Sequence, residues 1–187
     1  MQKDQGLQLP PNWQDMDPEE RGTYMKMKES KFESDLDQVN LKIVQAGGDG
    51  NCLFRAIAFQ VYGDEGYHEL VRAKCMRYIE VERDYFGDFI DGGKEAMSDY
   101  IYRKSADGVW GDDLEIQAMT EIYDRSVQIY AYANTPMRTF HEGNPAAQAL
   151  KANLQPLRLS FHGNNHYNSI VPITWQSGNK LLELQPG

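Results

Sequence analysis

From Leu53 onward the apolar positions Leu53, Ala56, Ile57 and Val61 fall at i, i+3, i+4 and i+8, with Gln60 at i+7. That spacing predicts a helix with one face in a core, ended by Gly63-Asp64. A second helix is predicted over roughly 65–83, where Val71, Cys75, Tyr78 and Ile79 fall at i, i+4, i+7 and i+8. "KEAMSDYIYRK" (94–104) suggests a third and "DDLEIQAMTEIY" (112–123) a fourth. In the fourth, Asp112 stands as N-cap with Glu115 three residues on, close to a capping box. Its buried side is expected to be Leu114, Ala118, Met119 and Ile122. The texture then changes to β-branched and aromatic runs: "SVQIYAYA" (126–133), "MRTFHE" (137–142), "LRLSFHG" (157–163) and "HYNSIVPI" (166–173). These read as strands separated by turn residues, with 143–156 as a loop or short helix. "LKIVQA" (41–46) is one earlier strand. Helices early and strands late imply an α+β domain, with a small, mostly antiparallel sheet flanked by helices.

The flanks are less patterned. Residues 1–20 are polar and proline-containing and read as a flexible or loosely docked lead-in. Residues 21–175 form the domain, whose first part, 21–40, is a charged helical arm with only a partial stripe (Tyr24, Met25, Met27, Phe32, Leu36). Such an arm packs on the domain edge or serves as an approach arm. Residues 176–187 are a tail in which "KLLEL" could add an edge strand or a short helix.

Charge narrows the partners. The net charge of −9 argues against nucleic acid, which needs a basic footprint, and allows a basic protein partner. No stretch approaches the roughly 18 consecutive apolar residues of a membrane span, and the first residues lack the apolar core of a secretory signal. The expectation is a soluble, monomeric, cytoplasmic protein, with the nucleus also open to it. Two cysteines, Cys52 and Cys75, are too few for a disulfide scaffold or a four-cysteine zinc site. No CxxC or HxxxH pairing supports a mixed site, so no metal is expected, and no cofactor is called for.

Cys75 lies on a helix's apolar stripe, where a free cysteine behaves as a small hydrophobe. Cys52 is different. It follows "GGDGN" (47–51), whose glycines allow positive φ and close approach. It also begins a helix, whose unpaired N–H groups and positive end favour a thiolate. The N–H groups of Asp49, Gly50, Asn51 and Cys52 could also donate to a tetrahedral oxyanion. From this stretch alone, a packed cysteine and a nucleophile are evenly matched. A nucleophile needs a base. His68, in a charged helix, reads as a solvated residue. His141, at a strand end, is open. His162 and His166 flank the Gly163-Asn164-Asn165 turn and are better placed. His166 has Asn168 two residues on, on the same strand face, where an amide oxygen could fix the imidazole tautomer. Together these residues favour a Cys-His-Asn hydrolase.

"GDGNCLFRAIAFQVYGD" (48–64), "DGVWGDDLEIQAMTEIY" (107–123) and "HYNSIV" (166–171) resemble, in order, the signature blocks of the ovarian-tumour (OTU) family of cysteine deubiquitinases. The likeness spans about residues 30–173. It implies the papain-like OTU fold, with Cys52 as nucleophile, His166 as general base and Asn168 as the residue that orients it. Asp49 occupies an aspartate position often counted with the catalytic residues, and is expected to shape the loop rather than exchange protons. Trp110 is expected to pack structurally beside the cleft. The implied activity is thiol-dependent cleavage of isopeptide or peptide bonds after the C-terminal Gly-Gly of ubiquitin, with ubiquitin or polyubiquitin as partner. The alternatives are a non-catalytic ubiquitin-binding module, a papain-like protease for another ubiquitin-like modifier, and a structural interaction domain.

Overall fold

In the computed structural model, which describes residues 7–141, 155–163, 165–176 and 178, the chain enters its first helix through Asp17. The Asp17 carboxylate accepts from the Glu20 N–H, and the Glu20 carboxylate accepts from the Asp17 N–H, each at 2.9 Å. This reciprocal box satisfies donors that a helix start leaves unpaired, and Pro18 at the first helical position has no N–H to lose. Helix α1 runs Pro18–Asp37 and buries only Phe32 and Leu36 fully, as its thin stripe predicts. The lead-in from residue 7 folds back on the start of this helix. Tyr24 donates its hydroxyl to the Gln8 carbonyl at 2.7 Å, Arg21 Nε donates to the Trp13 carbonyl, and the Trp13 ring meets Tyr24 edge-on.

Five strands follow the predicted stretches: β1 Leu41–Val44, β2 Val127–Tyr130, β3 Arg138–Phe140, β4 Leu157–His162 and β5 His166–Pro172. They form one sheet in the order β1-β5-β4-β2-β3, antiparallel except where β2 runs parallel to β4. The expected α+β class with a mostly antiparallel sheet is the architecture observed. The β4–β5 hairpin sets Ser160 opposite Asn168 and His162 opposite His166.

Alternation along the strands separates two cores. Val127, Ile129, Leu157 and Leu159 face the main one, with α2 (Cys52–Tyr62), α3 (His68–Val81), α5 (Met97–Lys104) and α6 (Asp113–Tyr123); the short α4, Arg83–Phe86, adds Phe86. Tyr130 and Ile170 face the other way and meet Phe32, Leu36 and Leu41. At about 1.5–3 kcal/mol per fully buried large side chain, Phe32 and Leu36 give α1 roughly 3–6 kcal/mol of apolar anchoring. The arm is therefore a docked layer of the domain.

Helix α2 is buried nearly all round. Its one polar position inside, Gln60, hydrogen-bonds to β4 as a strand neighbour would. Its Oε1 accepts from the Arg158 N–H at 2.9 Å and its Nε2 donates to the Arg158 carbonyl at 2.8 Å. The capping box at Asp112 and Glu115 is present, but the buried side of α6 is not the one expected. Ala118 and Met119 are inside as expected, but Leu114 and Ile122 are only partly buried, and Glu115, Ile116, Thr120 and Tyr123 are inside as well. Glu115 is buried because it meets Lys104, Tyr100 and the Asp112 N–H, an arrangement that hydrophobic spacing cannot register. The expected loop or short helix over 143–156, save its last two residues, and the "KLLEL" element lie outside the described residues.

Candidate active site

The turn before α2 is built from side chains as much as from glycine. Asp49 Oδ1 accepts from the Asn51 N–H at 3.1 Å, and both its oxygens face Arg55, at 2.6 Å from Nη2. Hydrogen bonding from Arg55, above all, holds the Asp49 carboxyl well below the usual carboxylate range. Asp49 is therefore an anion that braces the turn. Gly50 has φ +85°, and a Cβ there would lie 2.0 Å from the Gly108 carbonyl oxygen. Only glycine lets the cysteine turn and the 107–111 loop approach this closely.

Asn51 ties the same two segments together. It is the N-cap of α2 but makes no capping bond there. Its Nδ2 donates to Asp107 at 3.0 Å, while its Oδ1 accepts from the Gly108 N–H at 3.0 Å and from Arg72 Nη2 at 2.6 Å. Arg72 is itself buried. It stacks on the Phe54 ring at 4.1 Å and donates to the Lys104 carbonyl, and burial lowers its pKa. Neither the Asn51 side chain nor Arg72 was singled out from sequence. An asparagine beside a cysteine in a glycine turn reads as a turn-former, and an arginine among charged neighbours reads as surface.

Cys52 is the first residue of α2 and keeps 6% of its surface exposed. At that position its N–H lies outside the helical ladder. Of the four N–H groups expected around an oxyanion, that of Asn51 is already committed to Asp49. That bond leaves the N–H groups of Asp49, Gly50 and Cys52 as the candidate donors.

His166 begins β5. Its Nε2 lies 2.8 Å from Asn168 Oδ1, and that same oxygen accepts from the Ala46 N–H at 2.9 Å. The second contact decides the first. A backbone N–H can only donate, so it fixes which end of the Asn168 amide is oxygen. An oxygen at that place requires His166 to carry its proton on Nε2. No hydrogen bond among the described residues occupies Nδ1, whose lone pair is available as a base. Helix α2 packs on β5, where Ser169 Oγ donates to the Ala56 carbonyl at 2.8 Å. Tyr167, next to His166, has its pKa raised by burial first and then by Asp113, with Cys52 a lesser neighbour. The helix that Cys52 begins thus packs on the strand that carries His166 and Asn168, and the Ala46 bond ties Asn168 to the segment that leads into the cysteine turn.

The other titratable candidates lie elsewhere. His162 is hydrogen-bonded through both ring nitrogens, to Glu29 and Ser160. His68, expected on a solvated face, is buried at 8% exposure at the start of α3, as is Arg72 one turn on. His141 is exposed beyond β3. Cys75 is fully buried, its thiol pKa pushed well above the ordinary value by desolvation. Trp110, expected to pack, is instead 57% exposed, and its loop is held by its carbonyl, which accepts from Lys104 Nζ at 2.8 Å. The ring lines a groove of about 980 Å³ with Tyr85, Phe89, Tyr100 and Leu114. Among the described residues, no group of three or more His, Cys, Asp or Glu side chains is placed to hold a metal ion.

The family model described as OTU-like cysteine protease matches residues 47–167. The chain belongs to that family. The matched span contains the cysteine turn, the 107–111 loop and His166. An Arabidopsis thaliana protein named OVARIAN TUMOR DOMAIN-containing deubiquitinating enzyme 6 is 43% identical over 145 residues, covering 77% of this chain and 27% of its own length. Human OTU domain-containing protein 5 is 39% identical over 153 residues, covering 79% of this chain and 25% of its own. The chain thus spans about a quarter of the length of these relatives. The solved OTUD1 OTU domain superposes with a TM-score of 0.68 at 27% identity, over 81% of this chain and 99% of that one. An OTU domain solved in complex with ubiquitin has a TM-score of 0.55 at 18% identity, over 73% of each chain, a likeness of fold.

Proposed function

We propose that this OTU domain is a thiol-dependent deubiquitinase, with Cys52 as nucleophile and His166 as general base and acid. The observation that carries the proposal is the double use of Asn168 Oδ1. It fixes His166 as the Nε2–H tautomer and leaves Nδ1 as the proton acceptor. In the first half-reaction Nδ1 takes the Cys52 thiol proton as Sγ attacks the C-terminal glycine carbonyl of ubiquitin. The N–H groups of Asp49, Gly50 and Cys52 are the donors for the oxyanion. Collapse breaks the C–N bond, and the Nδ1 proton passes to the departing lysine amine. Water then gives a proton to Nδ1 and attacks the thioester. The second tetrahedral intermediate expels the Cys52 sulfur, which recovers the proton. Asn168 and Asp49 hold geometry and exchange no proton.

The deubiquitinating relative supports this substrate class. The aromatic groove suits the folded body of ubiquitin. It offers Tyr85, Phe89 and Trp110 at half exposure or more, with Asp91, Asp99, Asp112 and Asp113 beside Arg103 and Lys104 in its lining. Its Trp110 loop continues directly into Gly108, against the cysteine turn.

Ubiquitin carrying a C-terminal electrophile tests the proposal, with parallel probes built on other ubiquitin-like modifiers. The expected result is a single adduct on Cys52 with the ubiquitin probe and none with Cys52→Ala. Binding without an adduct would favour a non-catalytic module. Preferential capture of another modifier would reassign the substrate.

A further inference from the structure

The arm α1 reaches the far side of the β4–β5 hairpin through a cluster that the proposed mechanism does not use. His162 Nδ1 lies 2.8 Å from Glu29 Oε2, and its Nε2 lies 2.8 Å from Ser160 Oγ. A carboxylate only accepts, so Nδ1 carries the proton and, in the neutral ring, Nε2 accepts from the Ser160 hydroxyl. Glu29 Oε1 accepts from the Tyr132 hydroxyl at 2.8 Å, and the Tyr132 oxygen in turn accepts from the Gly163 N–H at 3.2 Å, inside the hairpin turn. Phe32 closes the cluster, its ring 5.4 Å from Tyr132 and 5.6 Å from His162. Tyr132 has φ 53°, a left-handed conformation uncommon for a bulky aromatic residue, and one that persists where surroundings over-determine it.

The register gives this cluster its meaning. His162 stands opposite His166, and Ser160 opposite Asn168. Residues paired across antiparallel strands project to the same face. The Glu29–His162–Ser160 chain therefore runs along β4 from the rung of His166 to the rung of Asn168, the residue that orients His166. Ser160 is fully buried, which makes it a strut and not a second nucleophile.

We infer that Glu29 and His162 are positioning residues for catalysis: by clamping α1 onto the hairpin, they hold the strand pair and turn from which His166 and Asn168 project. The arm is then part of the catalytic apparatus, since the His166 geometry depends on a helix that starts about 150 residues earlier in the chain. The catalytic wording rests on the deubiquitinase reading; the geometric claim about His166 does not.

Two readouts keep these apart. Steady-state cleavage of a ubiquitin–fluorophore conjugate is compared for wild type, Glu29→Ala, Glu29→Gln and His162→Phe. The phenylalanine keeps the packing against Phe32 and Tyr132 while removing both hydrogen bonds. Small displacements of catalytic groups cost up to about 100-fold. Glu29→Ala and His162→Phe are expected to lower kcat by roughly 10-fold at unchanged KM, with Glu29→Gln recovering most of it through its remaining oxygen acceptor. In parallel, nitrogen NMR of the His166 ring reads its tautomer without any substrate. Wild type should show the Nε2–H form, and the first two variants a mixture. The inference is overturned if those variants unfold at lower temperature but keep wild-type kcat and a pure Nε2–H ring. If wild type cleaves no ubiquitin conjugate, the deubiquitinase reading fails and the tautomer comparison alone decides the clamp.

Discussion

Replacing Asn168 by alanine removes one oxygen that serves two donors, and the two losses have different signatures. Toward His166 the loss is a neutral hydrogen bond, worth about 0.5–1.5 kcal/mol net, or roughly 2- to 13-fold in the population of the productive tautomer and orientation. Toward Ala46 the loss is the partner of a part-buried backbone N–H, which costs about 1–3 kcal/mol if nothing replaces it. Asn168 is only 2% exposed, so water has poor access to the vacated place. Asn168→Ala should therefore lower kcat/KM by about 10-fold and the unfolding temperature by several degrees, at ~2–4 °C per kcal/mol for a chain of this size. His166→Ala should lose about 10²–10⁴ in rate, the usual worth of a general acid–base group. It should affect stability less, since the amide keeps its Ala46 bond. Asn168→Asp retains acceptors for both donors and should recover the stability and most of the rate. The assay is hydrolysis of a fluorogenic ubiquitin conjugate alongside thermal unfolding. The reasoning fails if Asn168→Ala is as inactive as His166→Ala, or if it loses stability while turning over normally.

Gly50→Ala should abolish activity and destabilise the domain, because its Cβ would meet the Gly108 carbonyl oxygen at 2.0 Å and its φ is +85°. Gly48→Ala, with nothing within 4 Å of its Cβ, should be close to wild type in both, and equal effects at the two sites would remove the steric argument. Trp110→Ala should raise KM for ubiquitin conjugates severalfold while leaving kcat and the unfolding temperature near wild type, as expected of an exposed ring; an unchanged KM would detach the groove from substrate binding. Asp49 ionises more readily folded than unfolded, so the unfolded chain binds the proton first as pH falls below the ordinary carboxylate range. The Asp49–Arg55 contribution is thus complete above about pH 4 and is lost as pH falls below it. Wild type should be the more stable of wild type and Asp49→Asn at neutral pH, the gap closing on acidification, and a gap independent of pH would contradict this.

Much of the architecture was legible because the hydrophobic periods are clean. The 3.6-residue spacing from Leu53 to Val61 and the alternating runs near 127, 157 and 166 became α2, β2, β4 and β5. The errors are those of polar residues buried with partners from distant segments. Glu115 is inside because of Lys104 and Tyr100, and His68 is inside despite its charged neighbours in sequence. Trp110 failed in the opposite sense, as an aromatic ring left outside where hydrophobicity argues for packing. In the candidate site, Cys52, His166 and Asn168 were visible through local signals, a turn–helix junction and an i, i+2 strand pair. Asn51 and Arg72 were not, because the loop they secure lies 56 residues from Asn51, and a single sequence carries no record of such contacts.

The two candidate histidines show where sequence reasoning stops and geometry takes over. His162 and His166 flank the same turn, and the asparagine two positions after His166 is what favours it in the sequence. Hydrogen bonding makes them unlike. The carboxylate of Glu29 takes the His162 Nδ1 proton and the Ser160 hydroxyl occupies Nε2, so no ring nitrogen remains to accept a thiol proton. The amide oxygen of Asn168, held by the Ala46 N–H, accepts a hydrogen bond from the His166 Nε2–H and leaves the Nδ1 lone pair unspent. Paired across one ladder rung, the two rings divide the labour. One is saturated and holds the hairpin to α1; the other keeps a single open position for proton transfer. That division depends on Glu29, a residue of α1, the helix that buries only Phe32 and Leu36.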